Sequence, residues 1–229
     1  MILIENCKVY GWEPAIRGMR NPMNSWDKSD TKFASDGSLE GGLGENDYKL
    51  MSRLADAGQV HGKYLRMITV TMDITAPLYW WKEADTYKIG TVTNSCSTMH
   101  KIHTKEFTTD DFSHEHLISW DDSEALVPLC EEEETKLTVY ISAEGVFKNT
   151  IFLLNFYREK FLETKDKKYW WQMVQLLPSS YNQRRTIQLN YAVLKNIYEY
   201  RKDHKLDEWR DFCDWIKRLP YSEFITGEY

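Results

Sequence analysis

The chain has 229 residues, of which 42% are hydrophobic and 28% are charged, and its formal net charge at pH 7 is −6. This length and composition are typical of a globular protein that can bury a proper core. The negative charge excludes a general nucleic-acid binder, which would present a basic face, although a free nucleotide needs only a few local cations.

The first half of the chain alternates strands with helices. Ile68, Val70, Met72 and Ile74 alternate along its clearest strand, and a short helix follows the Ala-Pro step. Pro14 suits the first turn of a helix, and Asn21-Pro22 ends it. In chain order the pattern predicts a strand over 1–10, the Pro14 helix, a polar excursion at about 20–44, a helix over 45–57, a strand over 64–75 and a helix over 78–86.

The second half is predicted to be mainly helical. A second polar excursion, at about 104–134, is expected on the surface, and residues 137–143 form either a short strand or the beginning of a helix. Helices are predicted over 151–162, 169–177 and 185–200, and a last amphipathic helix carries Trp209, Phe212 and Ile216. We interpret residues 1–229 as a single domain with these two excursions.

The sequence shows neither a membrane-spanning segment nor paired cysteines. No stretch approaches the ~20 apolar residues of a membrane span, and residues 1–5 lack the features of a signal peptide, so no membrane partner is expected. The cysteines Cys7, Cys96, Cys130 and Cys213 are far apart and form no CxxC pair. This usage predicts reduced thiols and a cytoplasmic protein.

Two segments of the chain resemble the flavin-dependent thymidylate synthases. In that family an Ala-Pro step and a helix lead into R-H-R-x7-S; here Ala76-Pro77 is followed at the same spacing by Thr86-Tyr87-Lys88 and by Cys96. The second segment, at 177–224, matches the family in Leu177-Pro178 and in later asparagine, arginine and histidine positions. The resemblance implies an α+β fold of the thymidylate synthase-complementing-protein type, with a small sheet and a helical C-terminal half.

The resemblance also implies the site residues and the ligands. Family members are homotetramers with clefts shared between subunits, and they bind FAD, dUMP, methylenetetrahydrofolate and NADPH. We therefore expect a small-molecule nucleotide partner, a homotetramer and FAD, with NADPH and methylenetetrahydrofolate only if activity is retained. Matching positions assign catalysis to Cys96, substrate binding to Glu83, Lys88, Ser97, Thr98 and Arg201, and cofactor binding to Tyr87, Asn94, Asn190, Asn196 and His204, with Arg184 and Arg185 as replacements for lost charge.

Several family cations are missing from this pattern, since Thr86, Val174 and Ala192 stand where the family has arginine. Each charge-assisted hydrogen bond contributes roughly 1.5–3 kcal/mol, so FAD binding is expected to be weak or absent. Two functions stay open. One is a divergent flavoprotein methyltransferase of nucleotide biosynthesis, converting dUMP to dTMP or catalysing a related reaction. The other is a catalytically silent homologue acting as a nucleotide-binding or assembly module.

Each sharper hypothesis has a plainer alternative. Cys96 is either a nucleophile whose thiolate Lys88 or His100 stabilises, or a small residue packed behind a loop. The Tyr-Trp-Trp runs at 79–81 and 169–171 either stack on a flavin or base, or fill the core. The polar residues after Arg20 either approach a ligand or form a capped turn. The histidines at 100, 103, 114 and 116 lack the spacing of a known site, and no metal is expected.

Overall fold

The computed structural model of the chain describes residues 1–119, 125–128 and 138–229. Its strands are β1 (Leu3–Tyr10), β2 (Lys32–Phe33), β3 (Leu39–Glu40), β4 (Thr69–Pro77), β5 (Val92–Ser95), β6 (Ala125–Pro128), β7 (Thr138–Ile141) and β8 (Asn182–Asn190). Its α-helices are α1 (Trp12–Arg20), α2 (Glu45–Asp56), α3 (Leu78–Ala84), α4 (Ala143–Thr164), α5 (Lys167–Leu176), α6 (Tyr191–Arg201), α7 (Asp207–Ile216) and α8 (Glu223–Thr226). Cys130, Leu137 and the acidic run at 131–134 lie outside the described residues.

The described residues form two compact units. The first comprises Met1–Ala76, Trp80–Ser95 and Arg184–Tyr229, and the second comprises Pro77–Tyr79 and Cys96–Gln183. Our single-domain interpretation stays a prediction, because a division into compact units does not show whether either unit folds alone.

The first unit is built on a four-stranded sheet in the order β1-β4-β8-β5. β1 runs antiparallel to β4, and β5 runs antiparallel to β8 with Val92 opposite Gln188. Val70, Met72 and Ile74 are fully buried along β4, which confirms the predicted alternation. The strand begins at Thr69 rather than at residue 64, because Gly62–Arg66 forms a 3-10 helix.

The predicted helix over 185–200 is wrong in its first part, which is the strand β8. Gln183, Ile187 and Leu189 are buried at even spacing, the period of a strand, while Arg184 and Thr186 between them are exposed. The helix begins only at Tyr191, where the side chain of Asn190 accepts a hydrogen bond from the Val193 amide at 3.0 Å. A capping asparagine therefore separates the two elements.

The excursion at 20–44 is ordered around one buried acid. It holds two 3-10 helices, at Asn21–Met23 and Trp26–Lys28, and the β2-β3 hairpin. Arg20 and Asp47 are both buried, and Arg20 Nε donates to Asp47 Oδ1 at 2.7 Å. Arg20 therefore anchors this segment to α2, and neither 3-10 helix has a side-chain cap, so the capped-turn interpretation is not supported there.

The second unit packs α4 and α5 around an apolar cluster. Its buried members are Ile102, Phe107, Phe112, Phe147, Leu154 and Met173. The predicted surface excursion at 104–134 is thus wrong for Phe107 and Phe112, which serve this core. Residues 138–141 form the strand alternative considered for 137–143, and α4 begins directly after it. Among the described residues no helix is long and apolar enough to cross a membrane.

Candidate functional site

The first unit contains a small pocket enclosed largely by aromatic and aliphatic side chains, which we call the aromatic pocket. It has a volume of about 120 Å³ and lies between α3, the turn after it, β5, β8, α6 and α7. Its lining residues are Trp80, Trp81, Ala84, Asp85, Tyr87, Lys88, Thr91, Thr93, Ile187, Leu189, Ile197, Trp209 and Phe212.

Two polar atoms buried at this pocket lack a partner. Neither the Trp80 indole Nε1 nor the Thr91 Oγ1 makes a hydrogen bond to any described residue, and Trp80 is only 1% exposed. Buried tryptophan N–H groups usually have an acceptor, because an unpaired buried polar group costs about 1–3 kcal/mol. Two such groups belong to the residues that line one pocket, and a bound water or a ligand with polar atoms would give them partners.

The rim of the pocket carries charge. Arg185 Nη1 donates to Asp85 Oδ1 at 2.7 Å, and its guanidinium lies 4.3 Å from the centre of the Trp81 ring. Lys88 is exposed beside them. The Arg185 charge is thus already balanced by Asp85, whereas Lys88 has no carboxylate partner among the described residues.

Four sequence-predicted residues come together beside the pocket with Trp209, and we call this group the Arg201 cluster: Glu83, Tyr87, Arg201, His204 and Trp209. Arg201 Nη1 donates to Glu83 Oε2 at 2.7 Å and Arg201 Nε to the Tyr87 hydroxyl at 3.0 Å. Trp209 Nε1 donates to the same Glu83 oxygen at 2.9 Å, and His204 Nε2 lies 2.9 Å from Arg201 Nη1. The cluster shares Tyr87 and Trp209 with the aromatic pocket.

Asn190 and Asn196, both predicted on the cofactor side, line a second cleft of the first unit, the asparagine cleft, with a volume of about 550 Å³. Gly90 closes one side of it; a Cβ there would lie 2.8 Å from Asn190 Nδ2, and Gly90 also has φ +80°. Lys195 lines the cleft but donates to the Ala55 carbonyl at 3.0 Å. Amide groups therefore converge here more than cations do.

Arg184 is placed away from Arg185, because both lie on a strand rather than on a helix. Successive side chains of a strand point to opposite faces. Arg184 donates to Glu5 Oε2 at 2.9 Å and to Asp73 Oδ2 at 2.8 Å. Hydrogen bonds from Thr186, Asn6 and Arg184 lower the pKa of Asp73 to about 2. The two arginines thus do not combine into one anion-binding site within the chain.

The predicted site residues from Asn94 to Thr98 lie at the end of β5 and directly after it. Asn94 is an exposed residue of β5, opposite Thr186. Cys96 is exposed, so the interpretation of it as a packed residue is wrong, and its carbonyl accepts from Gln183 Nε2 at 2.6 Å. The Ser97 hydroxyl accepts from the His100 amide at 2.9 Å, closing a turn that contains Thr98. None of these four residues lines the pocket.

Two histidines of the second unit pack against phenylalanine rings. The His103 ring meets Phe161 edge-on, and burial together with nearby Lys165 lowers the pKa of His103. The His114 ring stacks on Phe147. Within the described part of the chain, no three His, Cys, Asp or Glu side chains are arranged to hold a metal ion.

The predicted cofactor-side residues that could hold a flavin adenine dinucleotide lie mainly at the asparagine cleft. Asn190 and Asn196 offer amides of the kind that pair with an adenine. The pyrophosphate needs converging cations or a helix N-terminus. Arg184, Arg185 and Arg201 instead lie in three separate places, each paired with a carboxylate. These three arginines therefore form no joint pyrophosphate site, and the cations that line the asparagine cleft are instead Lys195 and the exposed Arg66, beside the N-terminus of α6.

Comparison with solved structures identifies the fold. Thymidylate Synthase X (ThyX) from Helicobacter pylori with FAD and dUMP is 18% identical, with a TM-score of 0.65 over 100% of this chain and 98% of that one. A second Helicobacter pylori structure, flavin-dependent thymidylate synthase ThyX complexed with FAD and dUMP, is 17% identical, with a TM-score of 0.61 over 99% and 97%. The UMP/dUMP methylase PolB from Streptomyces cacaoi bound with 5-Br dUMP is 13% identical, with a TM-score of 0.57 over 99% and 95%. No protein-family model and no curated sequence matches the chain. The predicted fold is thereby confirmed.

Sequence reasoning missed the groups that shape the pocket. Trp80 and Trp81 were noted only as a pair that stacks or packs, and both are buried in the first unit. Thr91 and Asp85 carried no signal at all. Asp85 pairs with Arg185 across 100 residues of sequence, a contact that no local pattern shows.

Proposed function

We propose that the chain is a divergent member of the flavin-dependent thymidylate synthase family that binds a pyrimidine deoxynucleotide, with the base in the aromatic pocket. The observation that carries this proposal is the pair of unpartnered atoms, Trp80 Nε1 and Thr91 Oγ1, at one aromatic-walled pocket. The three nucleotide-bound structures that share the fold support the same ligand class.

The size and chemistry of the pocket suit a single ring. A cavity of about 150 Å³ lined by apolar side chains binds benzene, so 120 Å³ matches one six-membered ring more closely than a purine. A pyrimidine carbonyl oxygen would accept the Trp80 N–H, and the Thr91 hydroxyl would donate to a second oxygen or accept from a ring N–H. Stacking on the neighbouring rings would supply most of the remaining affinity.

The phosphate of such a nucleotide would be bound at the rim. Lys88 supplies an exposed cation there, and Arg201 supplies a second if its pair with Glu83 opens. Because opening that pair has a free-energy cost, we expect modest affinity for a monophosphate.

Isothermal titration calorimetry with dUMP tests the base pocket. Thr91→Val removes a hydroxyl with little change of shape, whereas Trp80→Phe removes the indole N–H together with part of a buried ring. Loss of the hydrogen bond should weaken binding about 2–12-fold in each, the equivalent of 0.5–1.5 kcal/mol. Trp171→Phe, an exposed tryptophan of α5, is the matched control and should bind normally. If dUMP binds and both pocket variants have the affinity of the wild type, the nucleotide does not bind in the aromatic pocket.

The finer hypothesis, methylation of dUMP to dTMP or a related reaction, needs a flavin that the paired arginines do not favour. We expect a fluorescence titration with FAD to give weaker binding than dUMP does, and purified protein to lack the 450 nm flavin band. Stoichiometric FAD after purification would contradict this and direct attention to contacts from a neighbouring subunit.

The silent-module alternative is favoured by the same ion pairs, since three of the described arginines are neutralised by carboxylates before any ligand arrives. Formation of dTMP from dUMP with FAD, NADPH and methylenetetrahydrofolate would exclude it. The absence of product together with tight dUMP binding would favour it.

A homotetramer belongs to this proposal as well. Phe152, Leu153 and Phe156 are large apolar residues within about one turn of α4, and they are 69%, 39% and 42% exposed. Contiguous exposed apolar residues commonly mark a protein interface. Light scattering should give the mass of four chains at micromolar concentration. The mass of one chain would contradict a cleft that is shared between subunits.

A further inference from the structure

A second concave site lies in the first unit, between the loop after α1 and the outer face of α2. This cationic cleft has a volume of about 380 Å³. The side chains that matter for its chemistry are Arg20, Ser25, Lys28, Asn46, Lys49 and Arg53. It shares no lining residue with the aromatic pocket or with the asparagine cleft.

The cleft concentrates positive charge on a chain whose net charge is −6. Four of its lining residues are cations and none is a carboxylate. Arg20 is paired with buried Asp47, and Lys49 is paired with Glu45 one helical turn away. Lys28 and Arg53 are exposed and have no carboxylate partner among the described residues. The charges of Lys28 and Arg53 are therefore the two at this cleft that an anion would balance.

A buried hydroxyl provides an independent indication of a ligand. Ser25 lines the cleft, is only 7% exposed, and its Oγ makes no hydrogen bond with any described residue. The backbone around it is held: the Ser25 amide donates to the Arg20 carbonyl at 3.3 Å, and Arg20 Nη1 donates to the Ser25 carbonyl at 3.1 Å. The Ser25 hydroxyl therefore lies at the cleft without a hydrogen-bond partner among the described residues. Buried polar groups rarely lack one.

We propose that the cationic cleft binds the phosphoryl group of a small anion. The Ser25 hydroxyl and the Asn46 amide would donate to phosphate oxygens, while Lys28, Lys49 and Arg53 would balance its charge. A multiply charged tetrahedral anion fits better than a carboxylate, because the donors approach from both the loop and the helix. The source is either inorganic phosphate or a phosphorylated metabolite such as a nucleoside diphosphate.

Calorimetric titration with inorganic phosphate, pyrophosphate and ADP tests the proposal and separates the sources. Binding of the inorganic anions identifies a free-phosphate site, and tighter binding of ADP identifies a phosphorylated metabolite. Lys28→Gln and Arg53→Gln should each weaken binding about tenfold or more and reduce its salt dependence. Lys63→Gln, which removes an exposed charge elsewhere in the first unit, should change neither.

Ser25→Ala separates a ligand role from a structural one. If the hydroxyl serves the anion, the variant should lose affinity several-fold while its melting temperature stays the same or rises, since an unpaired buried hydroxyl is removed. A lower melting temperature with unchanged anion affinity would overturn the proposal. So would the absence of binding of all three probes at millimolar concentration, or equal affinity in the Lys28 and Arg53 variants.

Discussion

Asp47→Ala is expected to lower the free energy of unfolding by about 3–5 kcal/mol, the usual cost of leaving a buried ionic partner alone. Asp47 is fully buried and accepts hydrogen bonds from Arg20, Ser29 and Thr31 side chains at 2.7–2.8 Å. It also accepts from the backbone amides of Asp30 and Thr31. Removing the carboxylate leaves the buried Arg20 charge and several hydrogen-bond donors without a partner. Urea unfolding at pH 7 measures the loss.

Asp27→Ala is the control, because Asp27 lies in the same excursion but is exposed, and it should change stability by less than about 0.5 kcal/mol. A change in the free energy of unfolding within that limit for Asp47→Ala would contradict the stabilising role of the buried carboxylate. Acid unfolding offers a second check. Burial alone would raise the pKa of Asp47, but hydrogen bonds from Thr31, Ser29 and Arg20 outweigh it and lower the pKa.

The sign of the pH effect follows from that depressed pKa. The stabilisation by Asp47 is present above the ordinary carboxyl pKa of about 3.9 and is lost as the pH falls through the lower folded value. The wild-type protein should therefore lose stability below about pH 4 more steeply than the Asp47→Ala variant. Equal slopes in this window would show that Asp47 does not titrate with folding.

Glu83→Gln is expected to tighten dUMP binding about tenfold. In the wild-type cluster, Glu83 Oε2 accepts from both Arg201 and Trp209. A glutamine oxygen can still accept the Trp209 N–H, but it no longer neutralises Arg201, whose guanidinium becomes available to a phosphate. A charge-assisted hydrogen bond is worth roughly 1.5–3 kcal/mol, so a tenfold gain, or 1.4 kcal/mol, is a conservative expectation.

Glu159→Gln removes an exposed carboxylate of α4 and serves as the matched control for net charge. Stability should change little in Glu83→Gln, because the Glu83 side chain is 36% exposed and such ion pairs contribute little. Calorimetry that gives equal or weaker dUMP binding would mean that Arg201 does not meet the phosphate.

The elements predicted correctly are those with a strong local pattern. The β4 core face, α2 and α5 each have an uninterrupted hydrophobic period or a clear cap, such as Asp166 before α5. The helix predicted over 151–162 is only the second part of α4, which begins at Ala143. β8 was missed because Ile187, Tyr191, Leu194 and Tyr198 also satisfy a helical period, so one apolar series crossed two elements. Only the cap at Asn190 separates them, and a single asparagine is a weak signal in a sequence.

The candidate site was predictable in its members but not in its electrostatics. Glu83, Tyr87, Arg201 and His204 do come together, since the fold places α3 against the end of α6. Whether Arg201 is free to bind an anion depends on its pairing with Glu83, 118 residues away. Likewise, an unpaired indole N–H is a property of packing, and no local pattern shows whether Trp80 has an acceptor.

The register of β5 on β8 indicates where insertions and deletions can occur as the sequence evolves. Ser95 and Arg185 are paired partners, so the stretch between them leaves and rejoins the sheet at adjacent points. In topology it is the connection of a β-hairpin, because it joins two antiparallel neighbouring strands. Because closing a longer flexible loop adds cost only logarithmically, the loops within this stretch can change length without shifting a strand of the four-stranded sheet. Length differences among homologues should accumulate between these two positions, while the walls of the aromatic pocket keep their spacing.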